Sequence, residues 1–475
     1  MNIFQIVAGI LITGSEHEIL KSLHESVDAD FEFRGHPELI RKEKMKLKKT
    51  LLISLILSTL FVISGCSWYA SSNKKSKKNS KISPNAQFII SKDRGSNKNG
   101  KTLFIMAFSG GGSRAAYFSA SSMFALQRVF KDEGLDLLKE VDAITAVSGG
   151  TLPAAYYTFS YDLPGKSSLR EWDEKSVKKL MSRRFKTRWI ANWFWPHNLF
   201  RYWFTAFDRS DIMAKTLADN LFDKKYFGRD FRYRDMNPER PNLIINATNA
   251  TGENLGDLFA FTDDSFRELN SNLSKYRIAN AVMASATFPG VFNYVTLRNY
   301  KLNNYIHLFD GGNRDNLGIE SVINIMEKNA TYDRIIVISV DSFIRSKGMD
   351  AQKADPRSGT DYIFDSNFLE SFDSLLIANR KSKIENFEKY IKLKYPDKSK
   401  IIFYHLGFSD IKSGELNKSL NEIKTDFNIK KRDVEIIDKA VSILITKENN
   451  CLQDIKNIIV SGSKTSSEVT CEYYK

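Results

Sequence analysis

"TLFIMAFSGGGSRAAYFSA", residues 102–120, sets the reading of the whole chain. Residues 102–108 are an apolar run of strand length, and residues 114–130 have the composition of a helix. Between the two stand Gly110, Gly111 and Gly112. Glycine is needed where φ is positive or where backbone must approach another group closely, so three in a row mean that something comes close. A buried strand feeding a helix through a tight turn is the building unit of α/β layer folds.

The unit recurs. "VDAITAV" (141–147) is a second buried strand, followed by Ser-Gly-Gly and an alanine-rich helix start. Further strand-like runs are "NLIINAT" (242–248), "YIHLFD" (305–310), "RIIVISVD" (334–341) and "IIFYHLGF" (401–408), with helical stretches between most of them. This alternation predicts an α/β fold layered around a mainly parallel central sheet. Residues 165–240 break the rhythm, for "SVKKLMSRRFKTRWIANWFWPHNLFRYWFTAF" (176–207) holds four of the six tryptophans beside a basic cluster. Such a segment either lies at a membrane interface, with its rings at headgroup level and its basic stems snorkelling, or forms the aromatic core of a cap. Residues 361–447 read as charged amphipathic helices with one strand and carry no motif.

At 475 residues and 42% hydrophobic content the chain can bury a large core, as one large domain or two ordinary ones. Its net charge of +14 suits anionic partners such as lipid headgroups or nucleic acid. From Met45 the sequence "MKLKKTLLISLILSTLFVISGC" sets three lysines before an apolar run that ends in Ser-Gly-Cys. That is the layout of a secretory signal, and the run is too short and too interrupted for a comfortable membrane span. The ending Ile63-Ser64-Gly65-Cys66 resembles a bacterial lipobox, which makes Cys66 the expected lipidation site and the mature N-terminus. Residues 1–44, in which acidic residues outnumber basic ones, then precede the natural start, and residues 45–65 are the signal. Residues 66–100, rich in Ser, Lys and Asn at their start, read as a flexible tether whose Lys74, Lys75, Lys77, Lys78 and Lys81 face anionic headgroups. Ser67 stands where aspartate would signal inner-membrane retention, which favours the outer membrane of a bacterial envelope. Cys451 and Cys471, twenty residues apart, either close a disulfide in that compartment or remain thiols.

Chemistry gathers at the ends of three strands. Ala146-Val147-Ser148-Gly149-Gly150 has the form of a nucleophile elbow, where a sharp strand-to-helix turn exposes a serine hydroxyl and small neighbours let the elements close behind it. Acyl transfer also needs backbone N–H donors for an oxyanion, and a glycine loop at a helix N-terminus supplies them. Gly110, Gly111 and Gly112 qualify. A phosphate loop is the rival reading, but no Gly-x-x-x-x-Gly-Lys-Ser/Thr is present and a G-x-G-x-x-G pattern fails at Ala115. Among the histidines after Cys66, neither His197, His307 nor His405 follows a glycine turn suited to a triad base. A carboxylate in a dry site can serve instead. Asp310, ending a strand before Gly311 and Gly312, is placed for it.

In this order "SGGGSRAA" (109–116), "AVSGG" (146–150) and "DGG" (310–312) resemble the patatin-like phospholipase family. "NATNATGENLGDLFAFT" (246–262), "ANAVMASATFPGVF" (279–292) and "DNLG" (315–318) support the resemblance, which covers about residues 102–341. It implies a three-layer α/β sandwich and a Ser–Asp dyad, with Ser148 as nucleophile and Asp310 as base. Gly110, Gly111 and Gly112 would line the oxyanion hole, Arg114 would fix their loop, and Gly150, Gly311 and Gly312 would support the turns. Ala146 stands where the family usually has glycine. The expected organisation is a catalytic domain at 101–345, with the insertion at about 165–240, and a helical C-terminal extension at 346–475 packing on the core. The expected activity is hydrolysis of phospholipid or lysophospholipid acyl esters, without cofactor or metal. Transfer to another acceptor by the same dyad, or lipid binding without turnover, are the alternatives. The expected partner is a membrane, reached through lipidated Cys66 and residues 176–207, with no nucleic acid and no obligate protein partner.

Overall fold

The computed structural model describes Asn79 and residues 101–162, 171–222, 231–329, 331–344, 367–412 and 414–471. The upstream segment 1–44, the signal at 45–65, Cys66 and the rest of the 66–100 tether lie outside these residues, as does the expected boundary at 345–346. Strand β1 (Thr102–Phe108) turns into helix α1 (Gly112–Arg128), and β2 (Ala143–Val147) into α2 (Thr151–Thr158). The insertion holds α3 (Glu174–Met181), α4 (Phe185–Trp193), α5 (Pro196–Phe204) and α6 (Arg209–Leu217). There follow β3 (Asn242–Asn249), β4 (Leu258–Ala260), α7 (Ile278–Ser285), β5 (Val295–Asn299), β6 (Asn304–Asp310), α8 (Ile319–Lys328) and β7 (Arg334–Asp341). The C-terminal part adds α9 (Asn367–Lys394), β8 (Ile401–Gly407), α10 (Lys431–Leu444), α11 (Asn450–Val460) and β9 (Thr470–Cys471).

The nine described strands form one sheet in the order β5-β6-β3-β2-β1-β7-β8-β9, with β4 also paired to β3. Pairings from β3 through β2, β1, β7 and β8 to β9 are parallel, and those of β3 with β4, β3 with β6 and β5 with β6 are antiparallel. The mainly parallel α/β sheet expected from the sequence is therefore present. Strands covered on both faces carry continuous apolar runs rather than alternation, which is why "TLFIMAF" and "RIIVISVD" stood out.

Period-two geometry divides those runs between two helical layers. Leu103, Ile105 and Ala107 of β1, with Ile335, Val337, Ile401 and Phe403, pack on α8 and α9 through Ile319, Val322, Met326, Phe387 and Ile391. The other face meets α1 and α11. Helix α1 is in turn covered by α3 and α10, so fifteen of its residues are buried, and its Ser and Ala content lets neighbours pack on all sides.

The C-terminal extension is more than helical packing. Strand β8 pairs in register with β7, Ile335 to Ile401 through Asp341 to Gly407, and so completes the sheet. Cys451 and Cys471 form a disulfide with their Cα atoms 5.6 Å apart, joining the start of α11 to β9. The tether read as flexible is fixed at one residue: buried Asn79 donates to Ser271 Oγ (3.0 Å) and to the Arg298 carbonyl (2.9 Å). Phe200–Ala206 belongs to a separate compact unit, within which the Phe200 and Phe204 rings lie 4.6 Å apart. No helix among the described residues is long and apolar enough to cross a membrane.

Candidate active site

Ser148 follows the last residue of β2 and has φ of +47°, a left-handed value uncommon for a residue with a Cβ. Such a conformation costs on the order of 1–3 kcal/mol and persists where its surroundings over-determine it. Here the Ser148 N–H donates to Ser285 Oγ (2.8 Å), and Thr151 Oγ1 donates to the Ser148 carbonyl. Behind the serine the β1–α1 turn presses in. A Cβ at position 149 would lie 2.0 Å from the Gly112 carbonyl oxygen, so only glycine fits. Ala146 sits two residues before Ser148 in regular, fully buried strand and its φ is not positive, so its methyl group is accommodated there.

Asp310 ends β6 opposite Ala247 of β3. Its backbone is held on three sides: the N–H donates to the Thr287 carbonyl (3.1 Å), Thr248 Oγ1 donates to its carbonyl (2.7 Å), and the Gly311 N–H donates to the Ser285 carbonyl (3.1 Å). The carboxylate accepts from the Gly312 N–H at Oδ1 (2.8 Å) and from Ser148 Oγ at Oδ2 (3.0 Å). Burial pushes its pKa from 3.8 up to about 6, against the opposing pull of those two hydrogen bonds. A base poised there is ionised at neutral pH yet basic enough to accept a hydroxyl proton in a transition state.

The glycine loop completes the geometry. A Cβ on Gly110 would stand 3.2 Å from Ser148 Cβ, so the loop lies directly against the serine. Its backbone donors are not equivalent. The Gly110 N–H donates to the Asn316 carbonyl (3.0 Å) and the Ser113 N–H to the Asp426 carbonyl (2.7 Å). The N–H groups of Gly111 and Gly112, at the N-terminus of α1, have no partner among the described residues. Of the three glycines expected as oxyanion donors, Gly110 is thus already committed through its N–H. Arg114, expected to fix this loop, donates to the Ile423 carbonyl (2.8 Å) and so ties α1 to the C-terminal part.

The histidines stay outside this arrangement. His307 Nδ1 pairs with Thr296 Oγ1 (3.0 Å), and burial lowers its pKa. His405 contacts Asp341, and His197 is exposed on α5. Sequence reasoning missed Ser285, although it lies within a quoted segment, "ANAVMASATFPGVF". It also missed the Ile423–Asp426 segment, which carries no local signature and acts through main-chain carbonyls. The tryptophan-rich insertion divides residue by residue. Trp189 is buried against Phe292 (5.0 Å), which meets Phe427 (5.6 Å), whereas Phe194 and Trp195 are 71% and 65% exposed.

Human GIVD cytosolic phospholipase A2 aligns at 14% identity and a TM-score of 0.34, over 50% of this chain and 42% of that one. VipD from Legionella pneumophila aligns at 16% identity and a TM-score of 0.32, over 78% of this chain and 71% of that one. The chain therefore spans less than half the length of the first of these. No curated protein matches. A family model described as patatin-like phospholipase matches residues 106–323. That stretch, just under half of the chain, is what resembles the family, and it holds the glycine loop, Ser148 and Asp310.

Proposed function

We propose that this chain is a lipid acyl hydrolase of the phospholipase A or lysophospholipase type, working through a Ser148–Asp310 dyad. The observation that carries the reading is the 3.0 Å hydrogen bond from Ser148 Oγ to Asp310 Oδ2, made by a serine in a strained elbow to a carboxylate raised to about 6. Ser148 Oγ attacks the ester carbonyl carbon as its proton passes to Asp310 Oδ2. The carbonyl oxygen, now negative, lies against the N–H groups of Gly111 and Gly112, reinforced by the N-terminal field of α1. Asp310 returns the proton to the departing alkoxide, leaving an acyl-serine. Water then attacks the acyl group while Asp310 accepts its proton, and the fatty acid leaves as Ser148 is reprotonated.

The same reading places the enzyme at a membrane. Exposed Phe194 and Trp195, in the same sequence segment as the exposed cations Arg184 and Arg188 on and before α4, have the chemistry of an interfacial contact. Lipidated Cys66 is the proposed anchor, and the Cys451–Cys471 disulfide supports an oxidising compartment such as a bacterial envelope, the outer membrane being favoured. Labelling with a fluorophosphonate tests the core of the proposal. Wild type is expected to label and Ser148→Ala not to; equal labelling of the two would overturn the nucleophile. Retention of full ester hydrolysis in Asp310→Asn would overturn the base.

A further inference from the structure

The Gly110–Gly111 peptide raises a question that the dyad leaves open. A trans peptide is planar and its C=O and N–H point in opposite directions, so one rotation of the plane decides where the Gly111 N–H aims. With glycine on both sides, that rotation meets little steric resistance. Some interaction has to hold it. The carbonyl side supplies one: the Gly110 oxygen accepts from Ser342 Oγ (3.0 Å), with Ser109 Oγ 3.2 Å from the same oxygen. The Ser342 N–H donates to Ser109 Oγ (2.9 Å), and the two hydroxyl oxygens are 3.4 Å apart. Both serines are fully buried, so no water competes for these bonds.

We propose that Ser342, which lies beyond the family-matched stretch, is a positioning residue for the oxyanion hole. Its hydroxyl holds the Gly110 carbonyl turned toward β7 and thereby aims the Gly111 N–H at the reacting oxygen. The inference rests on the acyl-hydrolase reading. Ser342 is itself rigidly placed. Its neighbour Asp341 accepts from Arg380 Nε (2.6 Å) of α9, from His405 Nε2 (2.9 Å) of β8, and from the Phe343 N–H (2.9 Å). Burial alone would raise the Asp341 carboxyl, but the Arg380 charge and the His405 contact hold it well below the usual carboxylate range. The ion cluster therefore stays intact where the dyad works. Contact is also close on the loop side: a Cβ on Gly111, whose φ is +141°, would lie 2.6 Å from Ser342 Oγ. The glycine is what lets the hydroxyl reach the peptide.

The test compares wild type, Ser342→Ala, Ser342→Thr and Ser109→Ala by kcat and KM on p-nitrophenyl butyrate, by the rate of fluorophosphonate labelling, and by melting temperature. Ser342→Ala is expected to lower kcat by roughly ten- to a hundredfold with KM and melting temperature little changed, since only the aim of one donor is lost. Labelling should slow by the same factor, because phosphonylation develops negative charge on the same oxygen. Ser342→Thr, which keeps the hydroxyl, is expected to recover most of the rate, and Ser109→Ala to cost a few-fold. Wild-type kcat and labelling in Ser342→Ala would overturn the proposal, as would equal losses in the alanine and threonine variants. If Ser342→Ala fails to fold, an unaltered rate in Ser109→Ala overturns it instead. A wild type that neither labels nor hydrolyses esters would overturn the acyl-hydrolase reading itself, whereas a wild type silenced by Ser148→Ala with a normal Ser342→Ala would remove this inference alone.

Discussion

Ser148 Oγ and Asp310 Oδ2 meet at 3.0 Å although they are carried by β2 and β6, which are not neighbours in the sheet. Strand β3 lies between them and sets the level of each. Val147 pairs with Asn246 and Asp310 with Ala247, so two adjacent residues of β3 bring the ends of both flanking strands to one height. Because β6 runs antiparallel to β3, its C-terminal residue arrives there from the opposite direction. A hydrogen-bonded pair 162 residues apart in sequence is thus fixed by strand register.

The first prediction concerns the acid limb of catalysis. Asp310 accepts a proton only when ionised, and its pKa stands at about 6. The kcat/KM profile on a soluble ester is therefore expected to rise with pH through about 6 and level off above it. Asp310→Asn should lose on the order of 10²–10⁴-fold in rate and lose that acid limb as well. A limb near pH 4 would mean that burial does not raise this carboxylate.

The same burial predicts a stability effect of opposite sign to the loss of activity. Asp310 has a folded pKa of about 6 against 3.8 unfolded, so the folded state holds its proton more tightly. The stability this confers is fully present below 3.8 and lost as pH rises through about 6, on the order of 3 kcal/mol if the whole shift is realised. Asparagine carries no charge, while its amide can still accept from Gly312 and donate to Ser148. Asp310→Asn is expected to melt above wild type at pH 8, with the difference shrinking toward zero near pH 4. Melting curves at the two pH values measure this directly.

A third prediction follows from the C-terminal part's grip on the glycine loop. Gly112 has φ of +59°, and a Cβ there would lie 2.4 Å from the Asp426 carbonyl oxygen, the acceptor of the Ser113 N–H. Gly112→Ala should displace the Ile423–Asp426 segment, at a cost of about 1–3 kcal/mol, and lower kcat through the same loop. Proteolysis within residues 421–430 is expected to become faster in the variant. An unchanged melting temperature and cleavage pattern would show that the segment does not bear on the loop.

Much of this was legible in the sequence, for a definite reason. Buried parallel strands announce themselves as apolar runs, and turns that must admit backbone at 2–3 Å announce themselves as glycines. Gly112, Gly149, Gly150 and Gly311 are all such contacts. What escaped was carried by residues whose role depends on where the chain returns. Ser285 supports the elbow through one hydroxyl, Ser342 reaches Gly110 from the far side of β1, and Asp426 contributes only a main-chain carbonyl. None of these has a local pattern. The insertion was ambiguous for another reason: composition cannot separate Trp189, packed on Phe292, from Trp195, which faces solvent.

A fourth prediction uses the disulfide. The Cys451–Cys471 bridge closes a twenty-residue separation and pins β9 at the sheet edge opposite β5. Closing a loop of that size stabilises by about 3 kcal/mol, chiefly by restricting the unfolded chain. Cys451→Ala with Cys471→Ala, or reduction, should lower the melting temperature by several degrees. The rate on p-nitrophenyl butyrate at 25 °C should be unchanged, since β8, β7 and β1 separate β9 from the strand that carries Ser148. A melting temperature independent of reductant would show that the bridge does not constrain the fold.

The last prediction separates interfacial from soluble turnover. Phe194 and Trp195 expose large apolar surfaces in a segment that also exposes Arg184 and Arg188, and water gains when such rings enter a bilayer interface. Full burial of one such side chain is worth roughly 1.5–3 kcal/mol, so even partial insertion of two supports a tenfold or larger change in binding. Phe194→Ser with Trp195→Ser is therefore expected to weaken association with anionic phospholipid vesicles by at least about tenfold and to slow hydrolysis of vesicle lipid in proportion. Hydrolysis of a water-soluble ester should fall far less, because neither residue touches Ser148 or Asp310. Added salt should weaken vesicle binding of both proteins, since the cations remain in each. Equal vesicle binding by wild type and the double variant would move the lipid contact away from this part of the insertion. An equal fall on both substrates would instead show that the two rings support the site itself.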